Sequence, residues 1–145
     1  MPTTVKEMLA AARAAVPAIA PDEAAALVAE GKAVVVDVRD GTEVLTSGKV
    51  KGARHVTRGL LEFRADPESP MYDPAFQKDK TIILYCASGG RSALGGKTLK
   101  DMRSNPIARC PGLPNASDWC SAPTLTSAQV RVRAPPDQYR DHRAH

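Results

Sequence analysis

The chain has 145 residues, 43% hydrophobic and 25% charged, with a net charge of +4. That length fits one domain whose core needs no disulfide staples, and no apolar run approaches the ~20 residues of a membrane helix. The positive surplus is local: residues 1–102 hold 14 Lys+Arg against 13 Asp+Glu, and residues 103–145 hold six Arg against three Asp. With no aromatic stripe or nucleic-acid motif beside it, that surplus argues against specific nucleic-acid binding.

Taken in chain order, the first segment, MLAAARAAVPAIAP, is rich in alanine. Glu7 precedes it, Arg13 interrupts it and Pro17 breaks it, so a surface helix is expected rather than an exported signal. Residues 1–20 are thus read as a helical extension. PDEAAALVAEG (Pro21–Gly31) predicts a short helix with Asp22 as N-cap and Gly31 past its end. AVVVDV (Ala33–Val38) is a β-branched run suited to a strand buried on both faces. RDGTEVLTSG supplies a turn and a brief helix ending near Gly48. GARHV (Gly52–Val56) is a second strand, and RGLLEFRADP (Arg58–Pro67) a helix stopped by Pro67. A loop punctuated by Pro70 and Pro74 leads to the strand TIILYC, then to a helix over Arg91–Met102 and a short strand over Pro106–Cys110. Strands alternating with helices predict an α/β fold with a mostly parallel sheet and helices on both faces. Ligands bind such sheets beyond the carboxyl ends of the strands.

Cys86 sits at one of those ends, in YCASGGRSALGG (Tyr85–Gly96). A cysteine needed for packing belongs inside the run, among Ile82, Ile83 and Leu84; one just past it is presented to something. Ala87, Ser88, Gly89 and Gly90 are small, so the loop can turn successive N–H groups inward as an anion-binding nest. The following helix adds its unpaired N–H groups and positive end, and Arg91 adds a full charge. All three favour a thiolate, which is the nucleophile. The cysteines (Cys86, Cys110, Cys120) lack C-x-x-C spacing and the histidines do not cluster with them, which argues against a metal site and a disulfide framework. With no secretory segment, a reducing cytoplasm is expected.

VVVDVRDGTEVLTSGKVKGARHV and YCASGGRSALGGKTLKDM together resemble the rhodanese (thiosulfate sulfurtransferase) superfamily, from about Pro21 to Trp119. The resemblance implies a single rhodanese-like domain over residues 21–120, with Cys86 as the persulfide-forming nucleophile. Arg91 would close the loop and hold an anionic donor, and the backbone amides of Ala87, Ser88, Gly89, Gly90, Arg91 and Ser92 would cradle the sulfur. The implied partners are a small sulfur donor such as thiosulfate and a cyanide or thiol acceptor, with no metal or organic cofactor. Asp37 and Arg39 match the family's D-V-R and are expected to brace loops. Arg58 is placed either at the pocket mouth or as a solvated arginine at a helix start. His55 reads as an ordinary strand histidine.

Two other readings compete. A phosphatase or arsenate reductase shares the thiolate-plus-arginine loop, but related phosphatases carry one more residue between the cysteine and the arginine. A non-catalytic sulfur carrier or interaction module often loses the cysteine, which this chain keeps. Beyond the last predicted strand the family pattern is disturbed. Residues 103–145 contain no Lys and no Glu but six of the 12 prolines, a break in usage that suggests a shifted reading frame, a recombined end or an Arg/Pro-rich linker. Residues 121–145 are expected to be a mobile tail, because they hold few apolar anchors to offset ordering entropy.

Overall fold

In a computed structural model that describes residues 2–113 and 132–133, the elements follow the chain as α1 (Val5–Ala15), α2 (Pro21–Ala29), β1 (Ala33–Asp37), α3 (Gly41–Ser47), β2 (Lys49–Val50), β3 (Arg54–His55), a 3-10 turn at Arg58–Leu60, α4 (Leu61–Ala65), β4 (Thr81–Tyr85), α5 (Gly90–Met102), β5 (Ile107–Arg109) and β6 (Val132–Arg133). The two densest apolar runs, β1 and β4, lie side by side at the centre of a four-stranded parallel sheet ordered β3-β1-β4-β5. Their register runs from Ala33 opposite Thr81 to Asp37 opposite Tyr85.

Side chains alternate between the two faces, and each face has its own core. Val35, Ile83, Tyr85, Ala108, Cys110 and Leu113 pack against Ala24 and Ala25 of α2. Val36, Ile82, Leu84 and Ile107 pack on the other side against Val16, Leu61, Ala65 and Leu99. Both faces being covered explains why the strands read as unbroken apolar runs rather than as alternating patterns. Among the described residues no helix is long and apolar enough to cross a membrane.

Two helices differ locally from the sequence reading. The α2 N-cap is Ala20, not Asp22, because Pro21 takes the first helical position, where its missing N–H costs nothing. Asp22 moves into the first turn, facing the positive end of the helix. The helix expected over Arg58–Pro67 is a 3-10 turn followed by α4, which ends at Ala65. Asp66 must be extended because Pro67 follows it, and its φ of −83° and ψ of 117° show this.

α1 starts at a capping box, with the Glu7 N–H donating to Thr4 Oγ1 at 3.2 Å and the Thr4 N–H to Glu7 Oε2 at 3.3 Å. The chain leaving it runs along β5: the Arg109 N–H donates to Pro17 O (3.1 Å) and the Ile19 N–H to Arg109 O (2.8 Å). The tail expected over residues 121–145 lies outside the described residues, apart from Val132–Arg133, whose backbone pairs antiparallel with β2. Trp119 and Cys120 lie outside them as well.

Candidate active site

The turn between β4 and α5 is short because glycine allows it to be. Gly89 caps α5 at φ +92°, a left-handed conformation that side-chain-bearing residues avoid. Its bare Cα also faces the carbonyl of Pro111, where a β-carbon would stand 1.8 Å from the oxygen. With the turn so tight, backbone amides point into the loop. The Gly89 N–H donates to Cys86 Sγ at 3.1 Å and the Ser92 N–H donates to it at 3.4 Å. The Cys86 thiol lies 3.6 Å from Ser92 Oγ, which itself donates to Gly89 O at 3.1 Å. Cys86, Gly89 and Ser92 are buried, whereas Ala87 is half-buried and Ser88 exposed.

The segments leaving β1 and β4, neighbouring parallel strands, meet at the carboxyl edge of the sheet. They bring Glu43 of α3 to Arg91 of α5: Nη1 lies 2.5 Å from Oε1 and Nη2 3.0 Å from Oε2. This two-pronged hydrogen bonding holds the Glu43 carboxyl below its ordinary range and raises Arg91 above its own. Glu43 also accepts the Asp40 N–H at 3.4 Å, so the start of α3 and the first turn of α5 share one carboxylate.

Below this edge lies a sealed network. Arg39 donates from Nε to Asp37 Oδ1 (3.0 Å), from Nη2 to Asp37 Oδ2 (2.7 Å) and to Gly48 O (2.6 Å), and from Nη1 to Ser47 Oγ (3.0 Å). Tyr85 donates its hydroxyl to Asp37 Oδ2 (2.9 Å) and accepts the Val50 N–H (3.2 Å). Burial first, and the Asp37 charge second, push the Tyr85 hydroxyl well above its ordinary range, so it stays a neutral donor. Burial works against the Arg39 charge, but the bonds to Asp37 outweigh it. Ser47 and Gly48 are the last residue and the cap of α3. The network therefore holds the helix that carries Glu43.

A Rhodanese-like domain family model matches residues 20–112. The chain belongs to the rhodanese-like domain family. A solved structure of a protein of unknown function, described as a possible tyrosine phosphatase, from Rhodopseudomonas palustris shares 37% identity over 92% of this chain and 99% of its own, with a TM-score of 0.73. A polysulfide-sulfur transferase homodimer from Wolinella succinogenes shares 29% identity over 80% of this chain and 81% of its own, at a TM-score of 0.56. A thiosulfate sulfurtransferase from Pseudomonas aeruginosa shares 25% identity over 94% of this chain but 25% of its own length, at a TM-score of 0.62. No curated protein sequence matches the chain.

The remaining expected residues of this rhodanese-like domain fall as follows. The Arg58 guanidinium pairs with Glu62 of α4 and donates from Nη2 to Thr98 Oγ1 of α5 at 3.2 Å, tying the two helices. His55 Nε2 lies 2.7 Å from the carbonyl of Arg39. Cys110 is a free, buried thiol on the opposite face from Cys86, and burial pushes it up to about 11. Among the described residues no three His, Cys, Asp or Glu side chains gather as a metal site would require. Sequence reading assigned no partner to Arg91 and no task to the Ser92 hydroxyl. The one available hint was the D-x-x-E spacing of Asp40 and Glu43, which marks a helix start and says nothing of a residue 48 positions on.

Proposed function

We propose that the domain transfers sulfane sulfur through a persulfide on Cys86. The observation that carries the reading is the Cys86 sulfur, buried and already receiving two backbone N–H groups inside a loop closed by Arg91. These donors stabilise negative charge on sulfur whether it is the thiolate or the persulfide. The Cys86 thiolate attacks the outer sulfur of thiosulfate, the S–S bond of the donor breaks, and sulfite leaves with its electron pair. Cyanide or a thiolate then attacks the outer persulfide sulfur, forming thiocyanate or a new persulfide and returning the Cys86 thiolate. The Ser92 hydroxyl, bonded to Gly89 O at rest, turns toward the sulfur as charge develops. A guanidinium carries five N–H groups, so Arg91 can keep Glu43 and still receive an anionic donor. The cycle needs Cys86 as a free thiol, the form seen here, and hence a reducing compartment such as the cytoplasm.

A phosphatase reading draws on the description of the Rhodopseudomonas relative. Against it stand the four residues between Cys86 and Arg91, since a tetrahedral oxyanion needs a wider cradle. Intact-mass measurement after thiosulfate treatment separates the two. The expected result is one added sulfur, removable by cyanide and missing from Cys86→Ser. Sulfur uptake retained in Cys86→Ser, or hydrolysis of an aryl phosphate with no sulfur uptake, overturns the proposal.

A further inference from the structure

Both arginines expected to meet the charge of a sulfur donor are already engaged by carboxylates. Arg91 gives an N–H from each terminal nitrogen to Glu43. Arg58 pairs with Glu62 and reaches Thr98 of α5, about 10 Å further along the helix axis than Arg91. Arg39 is buried against Asp37 beneath the loop. The turn itself, Ala87 to Gly90, carries no charged side chain.

A second acidic residue stands at the same place. Asp40, the exposed N-cap of α3, donates its backbone N–H to Glu43 Oε1, the oxygen that also holds Arg91 Nη1. The Asp40 backbone and the Arg91 guanidinium thus meet at one atom. The bonds to Glu43 above all, with the charges of Cys86 and Asp40 adding to them, raise Arg91 above its ordinary range. Among the described residues of the two segments that meet here, 40–43 and 86–92, two carboxylates therefore face one guanidinium, and a Cys86 thiolate adds a further negative charge. The positive end of α5 supplies about half a unit charge, too little to cancel that excess. The N–H groups of Gly89 and Ser92 are already directed at the Cys86 sulfur.

We propose that Asp40 and Glu43 select the donor by charge. They bias the site toward a singly charged sulfane donor, an organic persulfide or thiosulfonate anion with an uncharged remainder, and against doubly charged thiosulfate. This selection rests on sulfur transfer through Cys86 as proposed above, and decides which donor supplies the sulfur. Methanethiosulfonate is the matching probe, since a methyl group replaces one charged oxygen of thiosulfate. The Cys86 thiolate attacks its outer sulfur, the S–S bond breaks, and methanesulfinate leaves with the electron pair. Both donors leave the same persulfide on Cys86. Their intrinsic reactivities differ, so the shift of their rate ratio between variants reports the charge.

The test follows the rate of sulfur addition to Cys86 by mass spectrometry, with thiosulfate and with methanethiosulfonate in parallel. Asp40→Asn removes one charge and keeps a good capping side chain. In that variant the thiosulfate rate rises about fivefold relative to the methanethiosulfonate rate, as for one unit charge near a protein surface. Glu43→Gln slows both donors by loosening Arg91, yet moves their ratio in the same direction. Glu30→Gln, at the end of α2 just before β1 and so at the opposite edge of the sheet, leaves the ratio at the parent's value. In the parent, potassium chloride at about 0.5 M shortens the Debye length to roughly 4 Å and moves the ratio as Asp40→Asn does. Loss of a helix cap would give no such salt response. An unmoved ratio in Asp40→Asn, with sulfur still taken up from both donors, overturns the selection and leaves sulfur transfer standing. Should that variant not fold, the salt response of the parent decides in the same way. No sulfur on Cys86 from either donor overturns the transfer, and the selection with it.

Discussion

Asp37–Arg39 and Glu43–Arg91 are both two-pronged carboxylate–guanidinium pairs, and both lie under or beside the same loop. Their side chains differ in exposure: 1% and 0% for Arg39 and Asp37, against 33% for each member of the other pair. Arg39 spends its remaining donors on Ser47 and Gly48, while Asp37 also accepts from Tyr85. All three guanidinium nitrogens and both carboxylate oxygens of that network bond to protein, which makes it a brace. Glu43 engages one N–H on each terminal nitrogen of Arg91 and leaves the rest of the guanidinium for the anionic donor of the proposed cycle. The same two functional groups thus serve rigidity where they are sealed and, in the proposed function, binding where they face water.

Substitutions should separate the two roles. The largest effect is expected from Asp37→Ala. It leaves the Arg39 charge buried without its counter-ion, and breaking a buried pair costs about 3–5 kcal/mol, a large part of the stability of a domain this size. Urea unfolding measures it, and a loss under 1 kcal/mol would show that the network is not a brace. Next is Arg91→Ala, which should lower thiosulfate:cyanide turnover about a hundredfold, as for removal of one preorganised oxyanion donor, while the unfolding midpoint hardly moves. Lysine should recover part of the rate, since it restores the charge but not the planar fork. Turnover equal to the parent's would take Arg91 out of the mechanism.

Glu43→Gln should act more weakly, by about tenfold in turnover, because it frees Arg91 to swing without removing its charge. An increase in KM alone, with kcat kept, would point to donor binding rather than loop positioning. The smallest effect is in acid. Glu43 has its folded-state pKa lowered from an ordinary value of 4.5, chiefly by Arg91. Its stabilisation is therefore present above that value and is lost as pH falls through the lower folded-state one. With a third of each side chain exposed, solvent screening holds the contribution to about 1 kcal/mol or less. Thermal midpoints of the parent and Glu43→Gln should differ at neutral pH and converge below pH 4; a constant gap would exclude the titration of Glu43 as its cause.

Much of the fold was legible because it depends on local chemistry. The β-branched runs around Val35 and Ile83 can be buried on both faces only as strands, and Pro17, Pro67 and Gly48 stop helices by rules that need no neighbour. The helix caps were less legible: Ala20 caps α2 although Asp22 has the better capping side chain, because Pro21 takes the first helical position. At the site, Cys86, its glycines and Arg91 were visible together because six consecutive residues carry them. Glu43 was visible only as a helix-start residue. Its second bond, to Arg91, depends on β1 and β4 being neighbours in the sheet, a pairing no local pattern states.

The amino-acid sequence by itself determined the alternation of strands and helices, the position of the thiol at a strand end and the tight turn around it, since each follows from side-chain size, branching and backbone freedom within a few residues. Tertiary structure alone decided which partner holds Arg91, that Asp37 and Arg39 are sealed beneath Tyr85, and that Cys110 faces away from Cys86. Glu43 and Arg91 stand 48 positions apart in sequence, as do Asp37 and Tyr85, and parallel strand order, not local propensity, brings them within bonding distance.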